Sequence, residues 1–214
     1  MKKITEKAHS YSIAAGVLWL FHISGIIGIS LGYLDWFASR TSLNLVILSL
    51  ALFIFFPVNK LKSILVFISL AFLGILVEYL GVNYGLFFGE YAYGENMGPK
   101  VGGVPWLIGL NWALLTLVTG AMANYLAEHW FLKALLGTFL MLLLDIFMEA
   151  SAPVFDFWEF KGGYAPIDNY IAWGIVAFIM HLIFNAFKLK GNLFISLHLF
   201  FVQLVFFIYF YVYF

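Results

Sequence analysis

Residues 142–160 read LLLDIFMEASAPVFDFWEF. The stretch begins as sequence apolar enough for the interior of a bilayer, then sets Asp145 and Glu149 inside the same run. A carboxylate at bilayer depth costs several kcal/mol or more. The acids are four residues apart, so on a helix they share one face. That face points into a bundle rather than at lipid.

The rest of the chain supports a membrane setting. Of 214 residues, 64% are hydrophobic and 10% charged, and the mean hydropathy is +0.99. A soluble domain of this size needs far more polar surface, so the composition predicts an all-α, polytopic integral membrane protein forming a single domain over 1–214. The chain has no cysteine, which excludes disulfides, thiolate catalysis and Cys-ligated metals. Net charge is zero and no basic stripe is present, so no nucleic-acid partner is expected. The 25 Phe, 12 Tyr and 7 Trp suit lipid-facing surfaces, interfacial belts and the walls of an apolar pocket.

Seven apolar runs stand out, at 11–30, 42–57, 63–80, 104–124, 132–150, 170–187 and 193–213. Each is near the ~20 residues that cross a hydrocarbon core. They are continuous rather than alternating, which argues for helices over strands. The second is the shortest, and Pro57 marks its end. The basic start MKKITEKAHS leads into a run too long for a signal peptide, with no small-x-small site after it, so it reads as an uncleaved first span.

With seven spans the termini lie on opposite sides. Lys2, Lys3, Lys7, Lys60, Lys62, Lys133, Lys188 and Lys190 fall on the N-terminal side, and Arg40, Lys100 and Lys161 on the other. This bias places the N-terminus in the cytoplasm and the C-terminus outside. Loops 81–103 and 151–169 are then both outward, and both are rich in Gly, aromatics and acids. They share a pattern: Tyr93 follows Glu78 by fifteen residues and Tyr164 follows Glu149 by fifteen. Each pattern continues with a proline (Pro105, Pro166) and a tryptophan (Trp106, Trp173), hinting at a parallel repeat of helix–loop–helix units.

Orientation fixes depth. Glu78, Asp145 and Glu149 fall in the outer ends of outward-running helices. Asn111, Trp112, Asn169 and Trp173 fall in the outer ends of inward-running ones. Polar residues from four helices therefore share the outer third of the bilayer. Three acids in a dry site with few cations cannot all ionise, and one that keeps its proton is a general acid. Interhelical hydrogen bonding without chemistry is the plainer reading of the same acids. No metal is expected: His22, His181 and His198 lie at other depths, and no HxxxH or HExxH spacing occurs. Those histidines read as packing or interhelical hydrogen-bonding residues. There is no DDxxD or NDxxD cluster for a Mg-diphosphate, and GPKVGGVP reads as a tight turn rather than a phosphate cradle.

Three blocks, EYLGVNYGLFFGEYAYGENMGPKVGGVPWLIGLNW, DIFMEASAP and FWEFKGGYAPIDNYIAWG, together resemble the signature blocks of the carotenoid 1,2-hydratases. These include γ-carotene and lycopene hydratases and the bisanhydrobacterioruberin hydratase. The resemblance covers about residues 78–174. Two positions depart from the family pattern: Ala150 follows Met148–Glu149 where Pro is usual, and Ala172 precedes Trp173 where Gly is usual.

The resemblance implies a cofactor-free hydro-lyase of carotenoid biosynthesis. It would add water across the terminal C1=C2 double bond of an acyclic ψ-end to give a tertiary 1-hydroxyl. The acids found above suit this chemistry. Asp145 or Glu149 would protonate the alkene, with Asp145, the deeper, slightly favoured. Glu78 would orient or activate water. The faces of Tyr91, Tyr93, Trp112, Tyr164 and Trp173 are candidates to stabilise a cation, and neutral Asn111 and Asn169 can hydrogen-bond water without quenching it. Expected partners are the carotenoid, water, membrane lipid and other carotenoid-biosynthesis enzymes, at a bacterial inner membrane with the site toward the outer face. A carotenoid cyclase or isomerase using the same acids, or a proton-coupled transporter, are the alternatives.

Overall fold

The computed structural model describes residues 2–56 and 60–214. Among these there are eight helices: α1 (Lys2–Ser30), α2 (Leu34–Ala38), α3 (Thr41–Phe55), α4 (Leu61–Tyr84), α5 (Trp106–Leu126), α6 (Trp130–Ser151), α7 (Ile167–Ala186) and α8 (Leu193–Tyr213). Each of the seven expected apolar runs is a helix. Six helices are long and apolar enough to cross a membrane. The exception is α3, whose 15 residues rise about 22 Å at ~1.5 Å per residue, short of a ~30 Å core. Pro57, expected to end it, lies outside the described residues.

The unforeseen element is α2. Gly32 turns the chain at φ +93, and Phe37 of α2 packs against Gly28 of α1, where any Cβ would collide with its ring. Five residues carry too little periodicity to be seen in sequence.

Helix α5 is the axis of the bundle. All but a few of its residues are buried, and α4, α6, α7, α8 and α3 all pack on it. Sequences all apolar around the helix suit either lipid or such a central position, which is why burial could not be told from sequence. The expected histidine roles hold. His181 bonds Thr119 Oγ1 at 2.8 Å, Trp19 Nε1 donates to His198 Nδ1 at 3.0 Å, and His22 lies 3.4 Å from Asn44 Nδ2.

Among the described residues, strands occur only in the two long loops. Strand β1 (Tyr91–Tyr93) pairs antiparallel with β4 (Trp158–Phe160), joining the α4–α5 loop to the α6–α7 loop, with Tyr93 opposite Trp158 and Tyr91 opposite Phe160. Strands β2 (Lys100–Val101) and β3 (Val104–Pro105) form a hairpin. Its turn is Gly102–Gly103, at φ +58 and +81, the all-positive geometry of a two-residue hairpin turn that only glycine adopts freely. GPKVGGVP is thus the tight turn expected.

The repeat hint needs a new register. Pro105 and Pro166 are indeed equivalent, each capping the N-terminus of its helix. The matching tryptophans are Trp112 and Trp173, each seven residues after its proline, and their rings stack with centroids 3.7 Å apart. Trp106 is about half exposed and has no such role.

Gly102→Val is expected to destabilise the protein by about 1–2 kcal/mol, the cost of a left-handed conformation at a residue with a Cβ. The added carbon also meets the Tyr79 ring. A lowered thermal midpoint in detergent, with helix content unchanged, is the readout.

Candidate active site

The polar residues of α4, α5, α6 and α7 meet at the loop-bearing end of the bundle. Glu78 is 3% exposed and its carboxyl receives three donors. Tyr91 Oη and Tyr93 Oη reach Oε2 at 2.5 and 2.7 Å, and Trp112 Nε1 reaches Oε1 at 2.9 Å. Local sequence makes this possible. Gly74 and Gly81 sit one turn either side of Glu78 on the same face of α4. A Cβ at Gly74 would strike Trp112, and one at Gly81 would strike Phe88 and Tyr91. The two glycines let the donors approach the helix closely enough to bond the acid between them.

Glu149 has its own donors: Trp158 Nε1 to Oε2 at 2.7 Å and Asn169 Nδ2 to Oε1 at 2.9 Å. Trp158 comes from β4 and Asn169 from the first turn of α7. The β1–β4 pairing therefore sets the donors of both glutamates at once. Burial first, then the adjacent Glu78 carboxyl, push the ionisation of the Tyr91 and Tyr93 hydroxyls upward, so both phenols remain protonated donors.

Asp145 differs from both. It is fully buried, and neither of its carboxyl oxygens has a hydrogen-bond partner among the described residues. It lies within electrostatic range of Glu149 and Glu78, and no Lys or Arg pairs with any of the three acids in the described structure. In the repeat the turn before the glutamate is Gly74 in α4 and Asp145 in α6. The two units thus present alike glutamates, and only one carries a second acid.

Two cavities border this region. The smaller, about 10 Å³, is lined by both Glu78 and Glu149, with Tyr91, Tyr93, Asn169 and Trp173 around them. A void of roughly 10–15 Å³ holds one water. The larger, about 240 Å³, lies among α1, α2, α3 and α8 and includes Asn111, Met148 and Trp158.

The residues picked out in sequence are distributed as follows. Glu78, Glu149, Tyr91, Tyr93, Asn169 and Trp173 meet around the small cavity. Trp112 is buried beneath it as a donor to Glu78. Asn111 faces the other cavity. Asp145 lines neither, though it shares the helix face of Glu149. Tyr164 is 77% exposed and stands apart from the site. Its fifteen-residue spacing misleads, because the β4 strand begins only nine residues after Glu149 and occupies the position that matches β1. The residue missed was Trp158. Its signal was present in WEF, an alternating aromatic–acid–aromatic stretch that reads as a short strand with one face inward.

Fold and site define a polytopic helical membrane protein with a cluster of buried carboxyls beneath a small loop sheet. The chain belongs to the carotenoid biosynthesis protein family, whose match runs over residues 40–213. That span takes in α3 to α8, well beyond the 78–174 of the motif resemblance, and leaves α1 and α2 outside it. No curated protein and no solved structure matches the chain.

Trp112→Phe keeps the stack on Trp173 but leaves Glu78 Oε1 without its donor. The expected loss is about 1–3 kcal/mol, the cost of stranding a buried acceptor, seen as a lower thermal midpoint. Phe at Trp106 is expected to leave the midpoint unchanged.

Proposed function

We propose that this protein hydrates the terminal C1=C2 double bond of an acyclic carotenoid ψ-end, giving a tertiary 1-hydroxyl. The observation that carries this reading over cyclisation or isomerisation is the water-sized cavity between Glu78 and Glu149. A cyclase has to keep water from its cation, whereas a hydratase has to hold one.

The roles follow from hydrogen bonding. Among the described residues Asp145 has no partner for its carboxyl, so no acceptor there engages its proton, which leaves that proton for the substrate. Protonation at C2 leaves the positive charge on C1, the carbon bearing two methyls. Glu78 and Glu149, each fixed by donors on both oxygens, hold the water and take up its proton as the C–O bond forms. The proton balance closes when that proton returns to Asp145, so no redox partner is consumed. The stacked Trp112–Trp173 pair offers an electron-rich surface beside the cavity.

The placement in the membrane belongs to the same proposal. The eight-to-three distribution of Lys and Arg supports seven crossings, with α3 as a short one, the N-terminus inside and the acids toward the outer face. A carotenoid is about as long as the ~30 Å core is thick, so its end reaches an acid cluster near one face.

The reaction is tested by expressing the protein in a host that makes lycopene or γ-carotene and weighing the pigments. A gain of one water per end is expected, and a product isomeric with its precursor would favour the cyclase. Asp145→Asn is expected to abolish hydration while the protein remains in the membrane. Glu78→Gln and Glu149→Gln are expected to lower turnover by about 10²-fold or more, the range for an acid–base group. Near-normal hydration by all three would return the acids to a structural role. Reporter fusions at residues 85–100 are expected outside, and a cytoplasmic result would overturn the orientation.

A further inference from the structure

The acid cavity has room for a water but none for a branched chain end. The reacting end of the substrate needs a second space, and the 240 Å³ cavity is the one at hand. A dry apolar cavity of about 150 Å³ already admits a benzene-sized molecule. The rim carries exposed apolar residues, Phe21 of α1, Trp36 of α2 and Leu43 of α3, so a chain dissolved in lipid meets apolar surface at the entrance. Inside, Trp158 is the one residue shared with the acid cavity. Its indole borders both spaces, and the same ring donates to Glu149. Met148 also lines the chamber, one turn along α6 from Asp145 and on the same face.

The chamber is not purely greasy. Asn111 lines it, is 4% exposed, and its amide has no hydrogen-bond partner among the described residues. Gln203 uses its Nε2 on the Leu199 carbonyl, which leaves its Oε1 without a partner there. His22 bonds the Leu18 carbonyl through Nδ1, so its Nε2 is the acceptor for Asn44 Nδ2, and Asn44 Oδ1 is left buried and unpaired. An unpaired buried atom such as Asn44 Oδ1 is unusual, since buried polar atoms are almost always paired, and the amides of Asn111 and Gln203 line the same apolar chamber. They supply acceptors and no charge. Their natural complement is an uncharged O–H on a hydrocarbon.

We propose that this chamber binds the acyclic isoprenoid end, and that Asn111, helped by Gln203, accepts a hydrogen bond from its tertiary hydroxyl. The ligand class is a branched, chain-terminal isoprenoid alcohol entering laterally from lipid. The proposal rests on the hydratase reading for its biological meaning, since that reaction makes such an alcohol. It makes Asn111 a residue that recognises product and sets the orientation of the end relative to Trp158. It also accounts for an amide where the repeat offers no need for one: the equivalent position in α7 is Ala172, also just before the stacking tryptophan.

The test is binding, read without turnover. Full-length Asp145→Asn protein in lipid nanodiscs is titrated with a short acyclic terpenoid bearing a terminal tertiary alcohol, and with the corresponding terminal alkene. The alcohol is expected to bind roughly tenfold more tightly, the factor worth one or two net hydrogen bonds. Asn111→Leu is expected to erase that preference while keeping alkene affinity. Leu48→Trp, which fills the chamber wall, is expected to weaken both ligands; the milder Leu45→Phe serves where the larger residue prevents folding. Equal affinity for alcohol and alkene in the parent protein would mean that the amides hold water only, and would overturn the assignment. Unchanged binding in the filled variants would place the ligand elsewhere and overturn it too. Failure of hydration in the pigment host with the alcohol preference intact would sink the reaction and leave the chamber standing, so the two outcomes separate.

Discussion

Glu78 is a carboxyl group buried between apolar helices and a loop sheet, and a carboxyl so placed must have donors or be expelled. Its three donors come from two parts of the chain, Tyr91 and Tyr93 from β1 and Trp112 from α5. Meeting that requirement organises much of what surrounds it. Gly74 and Gly81 must be small for the donors to arrive. β1 must turn back over the helix end, and its pairing with β4 then delivers Trp158 to Glu149. The stacking of Trp112 on Trp173 ties the first helix–loop–helix unit to the second. The loop sheet is therefore more than a connection. It is the cover that buries the acids away from bulk solvent while aiming side chains down at them.

Against that saturated pair, Asp145 stands out by having no hydrogen-bond partner among the described residues. A repeat whose units carry like glutamates, with an acid added one turn away in only one of them, gives a site with two kinds of carboxyl. Two are fixed acceptors around a water-sized space. One is unattached on the same helix face. Acid catalysis of alkene hydration asks for that division of labour: a donor whose proton is not already committed, and a base that positions the nucleophile. A structural role for the acids accounts for the bonded glutamates but gives no reason for an unbonded aspartate in the interior.

The sequence was legible where physical chemistry leaves few options. Continuous apolar runs have to be helices in a bilayer, and acids within them have to face inward, so the helices and the meeting of Glu78 with Glu149 could be read directly. The tight turn at Gly102–Gly103 and the hydrogen-bonding histidines were equally readable. Three things were not. α2 is too short to carry a period. The pairing of β1 with β4 is a long-range choice that two loops of similar composition do not announce, so Tyr164 looked equivalent to Tyr93 and Trp158 was passed over. Burial around α5 was hidden because lipid-facing and core-facing surfaces have the same composition in a membrane protein. The chamber is hidden for the same reason: Asn111 shares the depth of the acids, and nothing in its sequence context shows that it lines a separate space.

The central claim is that water adds to a cation generated beside these acids, and the origin of the product oxygen tests it most directly. Membranes containing the protein are supplied with lycopene in oxygen-18 water, and the pigments are weighed. The expected product is a hydroxylated carotenoid whose new oxygen is oxygen-18, formed without added oxidant and absent from Asp145→Asn membranes. A product of unchanged mass, or an oxygen that does not come from water, would contradict it.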